Sequence, residues 1–374
     1  MNLEQPLVSC VRVSDLDIPI AQHVQSLLDA LGGISRFVSA GDRVLLKPNW
    51  VAPFPQAVTD WELIVAVAEM VRSTGATPFL AESSGFEFST EATFRALGLY
   101  EQATARDLEL INLDRAEMVP VKTPCGEIEL ARPALDADAI INLPRLKHHS
   151  LTKITGAQKN ILGLVSRASR RRIHARDLDR GIVAVNGVLR PQLHILDGRD
   201  YLTRAVYGQV EHLGIVLASS DPLASDHLGA RILGYDPQSI GHIRLALQAL
   251  PESAHYTVVG DRCDSLDHAA SATPGRFYRF AFQAAYRIDL VLSHLFPKTS
   301  IIPYVHFWLG IRPHVTQARC TGCAECVPVC PVEAIRVDRV ARISAKRCME
   351  LRCLRCVEAC PERAIEIRGM RRPR

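Results

Sequence analysis

The chain has 374 residues, 48% of them hydrophobic and 22% charged, with a net charge of +4. That composition describes a folded globular protein of two units, not a disordered chain. No run of eighteen apolar residues is present, which excludes an ordinary membrane-spanning helix. The start "MNLEQPLVSC" lacks the basic and apolar regions of a secretory signal, so a cytoplasmic location is expected.

Over residues 1–274, short apolar runs alternate with helical patterns. The runs are "RVLL" (43–46), "PFLA" (78–81), "LELINL" (108–113), "AIINL" (139–143), "LHIL" (193–196), "GIVLA" (214–218) and "YTVVG" (256–260). Between them, "WELIVAVAEMVRSTG" (61–75) reads as a helix that stops on a glycine. This alternation predicts an α/β unit with a mainly parallel sheet and flanking helices. A polar cluster follows each of five strands: Lys47-Pro48-Asn49, Glu82-Ser83-Ser84-Gly85, the segment from Pro144, Asp197-Gly198-Arg199-Asp200 and Ser219-Ser220-Asp221-Pro222. Any one is an ordinary turn. Together they would converge beyond the carboxyl ends of the strands, where open α/β sheets bind ligands.

The third cluster is the densest. "NLPRLKHHSLTKITGAQKN" (142–160) holds Arg145, Lys147, Lys153, Lys159 and the pair His148-His149 between two apolar runs. Thr155 to Gln158, "TGAQ", has capping-box spacing. Thr155 is expected to cap a helix, and Gly156 to let a ligand approach its free amides. With Lys147, Lys153 or Lys159 beside them, these amides would form an anion site. The competing reading places the lysines on a solvated face and a histidine in the core. No G-x-G-x-x-G and no G-x-x-x-x-G-K-[ST] follows a strand, so the familiar nucleotide folds are not supported. Flavin, whose sites often lack a short signature, stays open.

"SRASRRRIHARDLDR" (166–180) carries six arginines. It reads either as a solvated face or as a contact for an anionic substrate or partner. Interleaved aromatics are missing, so nucleic acid is not expected. Residues 275–318 read as a strap: an amphipathic helix over 275–296, then a Pro- and aromatic-rich stretch over 297–315. The strap packs on its own protein in the plainer reading, and touches a membrane surface or a partner in the sharper one.

Eight of the eleven cysteines fall between 320 and 360. The first run, Cys320, Cys323, Cys326, Cys330 and Pro331, has the C-x2-C-x2-C-x3-C-P spacing of [4Fe–4S] ferredoxins. The second, Cys348, Cys353, Cys356, Cys360 and Pro361, repeats it with a four-residue first gap. Crossed ligation assigns Cys320, Cys323, Cys326 and Cys360 to one cluster, and Cys348, Cys353, Cys356 and Cys330 to the other. Paired zinc sites are the alternative, but zinc does not call for C-x3-C-P. Residues 319–374 carry thirteen Lys and Arg against seven Asp and Glu, a net of +6, which offsets the anionic clusters.

"LLKPNW", "INLPRLKHHSLTKITGAQKNILGLV", "ILDG" and "LASSDPLASDHLGARILGYDP" resemble the family catalogued as domain of unknown function three-six-two. Some of its members carry a C-terminal two-cluster ferredoxin. The resemblance implies the family fold and a site built on Lys47, Asn49, Lys147, His149, Lys159, Asn160 and Asp197. After Asp197-Gly198 the chain departs from the family's Glu-Gly-x-Gly-Pro turn, reading "RDYLTRAVYGQVEH".

The expected protein is an iron–sulfur oxidoreductase with two [4Fe–4S] clusters, a redox partner protein and an anionic small-molecule substrate. Lys147, Lys159 and the Thr155–Gly156 amides would hold the anion. His149, whose ordinary pKa suits acid catalysis near neutrality, would deliver a proton, and Lys47 would stabilise developing negative charge. The alternatives are an electron carrier whose α/β unit is a docking scaffold, and an enzyme with an additional organic cofactor.

Overall fold

The computed structural model describes the chain apart from residues 1–4, 14–17, 84, 87, 203–209, 264–275, 296–299, 303–304, 306–311, 331, 352–354 and 369–374. In chain order the first twelve strands are β1 (Leu7–Arg12), β2 (Arg43–Pro48), β3 (Thr77–Glu82), β4 (Glu109–Asn112), β5 (Met118–Thr123), β6 (Gly126–Ala131), β7 (Ala139–Leu143), β8 (Lys147–His149), β9 (Lys153–Thr155), β10 (Leu193–Leu202), β11 (Val210–Ser219) and β12 (Thr257–Gly260). Eight form one sheet, ordered β12-β1-β11-β10-β7-β2-β3-β4. Only β11 runs against its neighbours, β1 and β10. The remaining pairs are parallel.

All seven apolar runs singled out in the sequence are strands of this sheet. β1 was not among them, because "LVSCVR" interrupts its apolar residues with Ser9, Cys10 and Arg12. Alternation along each strand feeds two faces. Val44 and Leu46 of β2 and Ile141 of β7 join the core under helices Ile20–Asp29 and Trp61–Ser73. Leu45 and Ile140 face the other way, toward Ile173, Ile182 and Val185. Helix Trp61–Ser73 starts where the Asp60 carboxylate accepts from the Glu62 and Leu63 amides, a cap worth about 1 kcal/mol. It ends just ahead of Gly75, whose φ of 84° suits a residue without a side chain. Cys10 of β1 and Cys263, distant in sequence, form a disulfide with Cα atoms 6.5 Å apart.

The register places functional side chains on one edge. Lys47 lies opposite Asn142, and Asn142 opposite His194. β8 and β9 form a hairpin just beyond that edge.

The strap is a helix over Arg276–Leu295. Phe282, Ala285 and Tyr286 pack with Phe86, Ala175 and Ile302, so this face is turned to its own protein, while Phe280 and Val291 point outward. Arg171 Nε meets Asp289 Oδ2 at 2.7 Å, an ionic contact off the line of a hydrogen bond. The other oxygen of Asp289 accepts from the Ile301 amide at 2.7 Å. Most of the Pro- and aromatic-rich stretch lies outside the described residues.

The C-terminal module begins ahead of residue 319. β13 (Arg312–Val315) pairs with β16 (Ile365–Arg368), and β14 (Ile335–Val337) with β15 (Ala341–Ile343). The sequence repeat is a structural repeat: Glu333 and Arg363 hold matching positive φ values of 47° and 46°. The Ser344 and Thr316 amides donate to the matching carbonyls of Ala334 and Ala364. Val332 and Val357 of this module pack against Ala52, Phe54, Phe88 and Leu202 of the α/β unit.

Asp289 is fully buried, so Asp289→Ala leaves the Arg171 charge in the interior without its carboxylate. Stability should fall by about 3–5 kcal/mol, and limited proteolysis should cut the strap first. Cleavage and melting like wild type would show that the strap is anchored elsewhere.

Candidate functional site

At the carboxyl edge of the sheet, Lys47 donates from Nζ to Glu82 Oε2 at 2.7 Å and to the Pro48 carbonyl at 2.8 Å. Glu82 also accepts from the Ser83 amide at 2.7 Å and the Trp50 amide at 3.2 Å. Burial lowers the Lys47 pKa and Glu82 opposes it. A Cβ at Gly163 would overlap both charged groups, which is why that approach needs a glycine. An amide network backs this pair. Asn49 Nδ2 donates to Asn160 Oδ1 at 2.7 Å, and Asn160 Nδ2 donates to Asn142 Oδ1 at 2.8 Å and the Lys47 carbonyl at 3.1 Å. Asn142 Nδ2 reaches His194 Nδ1 at 3.0 Å.

A second buried pair fixes the loop after β7. Arg145 donates to Asp197 at 2.6 Å, and Arg199 approaches the same carboxylate at 3.1 Å. Burial alone would raise the Asp197 pKa, but the two guanidiniums hold it below the usual carboxylate range. Asp197 and Asn160 therefore turn their polar atoms into the walls of the site, whereas Asn49 Oδ1 is buried without a hydrogen-bond partner among the described residues.

Two sequence expectations are corrected here. The helix after β9 is one turn, Ala157–Asn160, and Thr155 belongs to β9, with Gly156 at the cap position. Its amides are already filled: Asp226 accepts from Ala157 N at 2.5 Å and Gln158 N at 3.0 Å. A Cβ at Gly156 would overlap Asp226. The close approach that this glycine permits is made by the protein's own carboxylate, so the amides that open the turn, those of Ala157 and Gln158, are not free for an anion. The second correction concerns His149. Its Nδ1 accepts from the Leu151 and Thr152 amides at 3.1 and 3.3 Å, which puts the proton of the neutral ring on Nε2. Burial, then Lys159, His174, Lys147 and His242, push its pKa well below 6.5. Near neutrality His149 is a hydrogen-bond donor, not an imidazolium acid.

What remains is a basic cluster. Lys147 is 2% exposed and donates to the Ala57 carbonyl. Burial, then Lys159 and Arg145, drive its pKa far down. Lys159 is half-buried and makes no hydrogen bond or ion pair among the described residues. Burial, then Arg170, lower its pKa to about 8. Arg170 is brought to about 10 by burial foremost. His174 donates from Nδ1 to the Arg170 carbonyl at 2.8 Å, and burial, then Lys159, lower it to about 3. Glu82, Asp197 and Asp289 are each matched to a cation, and Asp226 to backbone amides. Lys147 and Lys159 have no carboxylate partner among the described residues. Arg170 faces Asp114 at 3.8 Å, so the charge left without a carboxylate is that of the two lysines, which an anion would relieve.

Glu82, Arg170 and His174 were missing from the sequence-derived site. Glu82 was visible only as one of several strand-end residues. Arg170 and His174 lie in helix Arg167–Arg176, inside the arginine run. Spacing alone does not separate the buried Arg170 and Arg171 from their exposed neighbours.

In the C-terminal module, Cys320, Cys323, Cys326 and Cys360 line one cavity with Gly322, Val337, Ala341 and Ile365. Among the described residues, Cys330 accepts from the Ala334 amide at 3.2 Å, Cys360 from Ala364 at 3.2 Å and Cys320 from Ala341 at 3.3 Å. Such donors stabilise thiolates and tune iron–sulfur centres. Among the described residues no His, Cys, Asp or Glu group is gathered for a single metal ion, whereas four thiols surround this cavity. Four thiols lining one cavity fit the four ligands that such a cluster needs. Of the second set, Cys330, Cys348 and Cys356 are described and Cys353 lies outside the described residues.

The buried imidazoles set a pH dependence. Burial lowers His148 to about 4 and His174 and His194 to about 3. Above pH 6.5 these rings are neutral both folded and unfolded and contribute nothing. Below it only the unfolded chain binds the protons, so stability falls as the pH drops toward 4. Three such groups give a slope of about 4 kcal/mol per pH unit near pH 5. Denaturant titrations at pH 7, 6 and 5 measure it. Equal stability at all three would show that the rings are protonated in the fold.

Among the described residues no helix is long and apolar enough to cross a membrane. A thylakoid-associated protein of Synechocystis sp. is 31% identical over 228 residues, which cover 58% of this chain and 71% of that protein. Two solved structures align at low similarity. The lactate racemase apoprotein from Thermoanaerobacterium thermosaccharolyticum has a TM-score of 0.40 and 11% identity, over 61% of this chain and 57% of that one. A protein from Thermotoga maritima has a TM-score of 0.37 and 13% identity, over 64% and 60%. The chain thus spans less than two thirds of either structure. The family described as domain of unknown function DUF362 matches residues 44–231, and the 4Fe-4S dicluster domain matches residues 319–365. The chain belongs to the DUF362 family and carries a C-terminal 4Fe-4S dicluster module for iron–sulfur electron transfer.

Proposed function

We propose that the protein is a cytoplasmic iron–sulfur oxidoreductase that passes single electrons from two [4Fe–4S] clusters to an anionic small molecule held at the basic cluster. One observation carries this reading: the ferredoxin module is docked on the wall of that cluster. Val332 and Val357 sit against Ala52, Phe54 and Phe88. From the other side Lys147 grips the Ala57 carbonyl, and Arg167 reaches the Gly85 and Phe88 carbonyls at 3.1 and 3.3 Å. A short apolar wall between the two parts supports electron transfer within the chain. A docking scaffold does not account for a buried lysine, Lys147, that has no carboxylate partner among the described residues.

The two ligand sets then take different places. Val332 follows Cys330 by two residues and Val357 follows Cys356 directly. Both cysteines belong to the set with Cys348 and Cys353, so that set is the one nearer the α/β unit. The set of Cys320, Cys323, Cys326 and Cys360 is the side offered to a redox partner protein. Bound clusters supply electrons one at a time. The polypeptide supplies the rest: Lys147 and Lys159 hold negative charge, and His149 Nε2–H donates a hydrogen bond to the ligand.

Anaerobically reconstituted protein should hold about eight iron and eight sulfide per chain, as two four-iron clusters require. Sulfate should raise its melting temperature by mass action. Lys147→Ala and Lys159→Ala should weaken that rise and keep the iron. After dithionite reduction, an anionic substrate should restore the oxidised visible spectrum. Zinc without sulfide, or sulfate stabilisation unchanged in both variants, would remove the support for this reading.

A further inference from the structure

The hairpin of β14 and β15 has two unlike faces. Ile335, Val337, Ala341 and Ile343 pack inward among the cysteines, Cys320, Cys326 and Cys356 included. Arg336 and Arg342 are exposed on the outer face, directly opposite each other in the antiparallel register. Like charges so placed destabilise a strand pair. Neither guanidinium makes an ion pair or hydrogen bond among the described residues, nor does that of Arg339, exposed in the connecting turn. Residues 335–343 thus set Arg336, Arg339 and Arg342 against one acid, Asp338, a net of +2. Other cations nearby are engaged: Arg319 with Glu366 at 2.5 Å, and Arg347 with the Glu333 carbonyl at 3.2 Å.

The same hairpin borders the first ligand set. Val337 and Ala341 line the cavity of Cys320, Cys323, Cys326 and Cys360, and the Ala341 amide donates to Cys320 Sγ at 3.3 Å. A Cβ on Gly322 would come within 2.7 Å of the Arg339 carbonyl oxygen, so the turn lies directly on the cysteine loop. Cys323 in that loop is exposed, which brings the ligand set to the surface beside the arginines. A cluster held by four thiolates is anionic, and exposed Glu325 and Glu362 add to its sign. Attraction for an acidic surface therefore comes from the hairpin side alone, which orients the encounter.

We propose that the outer face of this hairpin, Arg336, Arg339 and Arg342, docks a small acidic electron-carrier protein that exchanges single electrons with the cluster of Cys320, Cys323, Cys326 and Cys360. This rests on the reading that gives that ligand set to a redox partner, and it names the partner's charge. Carboxylates of the partner pair with the guanidiniums and relieve the repulsion between Arg336 and Arg342. Complementary charge of this kind speeds encounter and fixes orientation more than it adds affinity. In each transfer one centre loses an electron and the other gains it, and no bond is made or broken.

Two haem proteins are the probes: cytochrome b5, whose surface is acidic, and cytochrome c, whose surface is basic. The holoprotein is reduced with dithionite, freed of excess reductant and mixed by stopped flow with either ferric cytochrome. Haem absorbance then reports one electron passing from the cluster to iron. The rate with cytochrome b5 should fall about tenfold or more between about 0.05 M and about 0.5 M salt, and the rate with cytochrome c should not fall. Arg336→Glu combined with Arg342→Glu should slow cytochrome b5 about tenfold at low salt and remove most of its salt dependence. Reduction of a neutral quinone, which needs no docking, reads whether the clusters of the variant are intact. The sign of the wild-type salt dependence decides the matter even if the variant loses iron. A salt-independent rate with cytochrome b5, or a fall with cytochrome c instead, would overturn the proposal. So would an equal loss toward quinone and cytochrome b5, which would assign the arginines to the cluster's own charge. Sedimentation with phosphatidylglycerol vesicles that needs these arginines, without salt-dependent transfer, would give the face to a membrane and overturn it too. Reoxidation by an anionic substrate separates the two readings. If it occurs without salt-dependent transfer, the docking face fails and the oxidoreductase stands; the converse keeps the docking face alone, and zinc in place of clusters removes both.

Discussion

The buried ion pair between Lys47 and Glu82 is the contact on which the site depends. It ties the end of β2 to the end of β3 at 2.7 Å, with neither side chain more than 1% exposed. Two charges taken out of water give little net stability by themselves, and removing one partner of such a pair costs about 3–5 kcal/mol. The surroundings are therefore built to keep it closed. Glu82 takes two further amides, the Pro48 carbonyl takes Lys47, and Gly163 leaves room where any side chain would intrude. Asn160, anchored to the Lys47 carbonyl, carries the same constraint into the turn that bears Lys159. Lys159 is thus presented from a frame that includes Lys47, although Lys47 itself is sealed away from any ligand, which corrects the expectation that it stabilises developing negative charge there.

The other buried acids follow the same logic. Asp197 locks Arg145, Asp289 locks Arg171, and Asp226 closes the short helix after β9. Each neutralises charge or satisfies a backbone donor at a joint between elements. Among the described residues Lys147 and Arg167 reach the carbonyls of the loops on which the ferredoxin module rests, so the docking contact and the binding cluster share backbone segments. A change at Phe54 or Phe88 would reach Lys147 and Arg167 through the carbonyls they hold.

Much of this was legible in the sequence and some was not. Apolar runs with a polar residue at each carboxyl end gave away the strands and the edge where Lys47, Asn49 and Lys147 meet, because a strand's pattern is local. The cysteine spacing was local too, and the repeat "CPVEAI" and "CPERAI" returns as matched turns at Glu333 and Arg363. The helix start at "TGAQ" misled for the opposite reason. Its spacing announced free amides, but the group that fills them is Asp226, some seventy residues further on. Arg170 and His174 were hidden likewise. An arginine run looks solvated until the strap helix, about a hundred residues later, covers it. His149 was read with the pKa of a ring in water, and its environment is supplied by Lys159, His174 and Lys147 from other elements.

That last shift changes which groups can handle protons. His149 and His174 are neutral throughout the ordinary pH range, so neither gives up an imidazolium proton. Arg170 stays charged at about 10, and Lys147 is engaged with a carbonyl. Lys159, at about 8, is the group of the cluster whose two protonation states are both well populated near neutrality. The same burial disfavours the charged form of both the histidine and the lysine. Binding an anion acts in the opposite direction, since negative charge beside Lys159 raises its pKa and favours the ammonium.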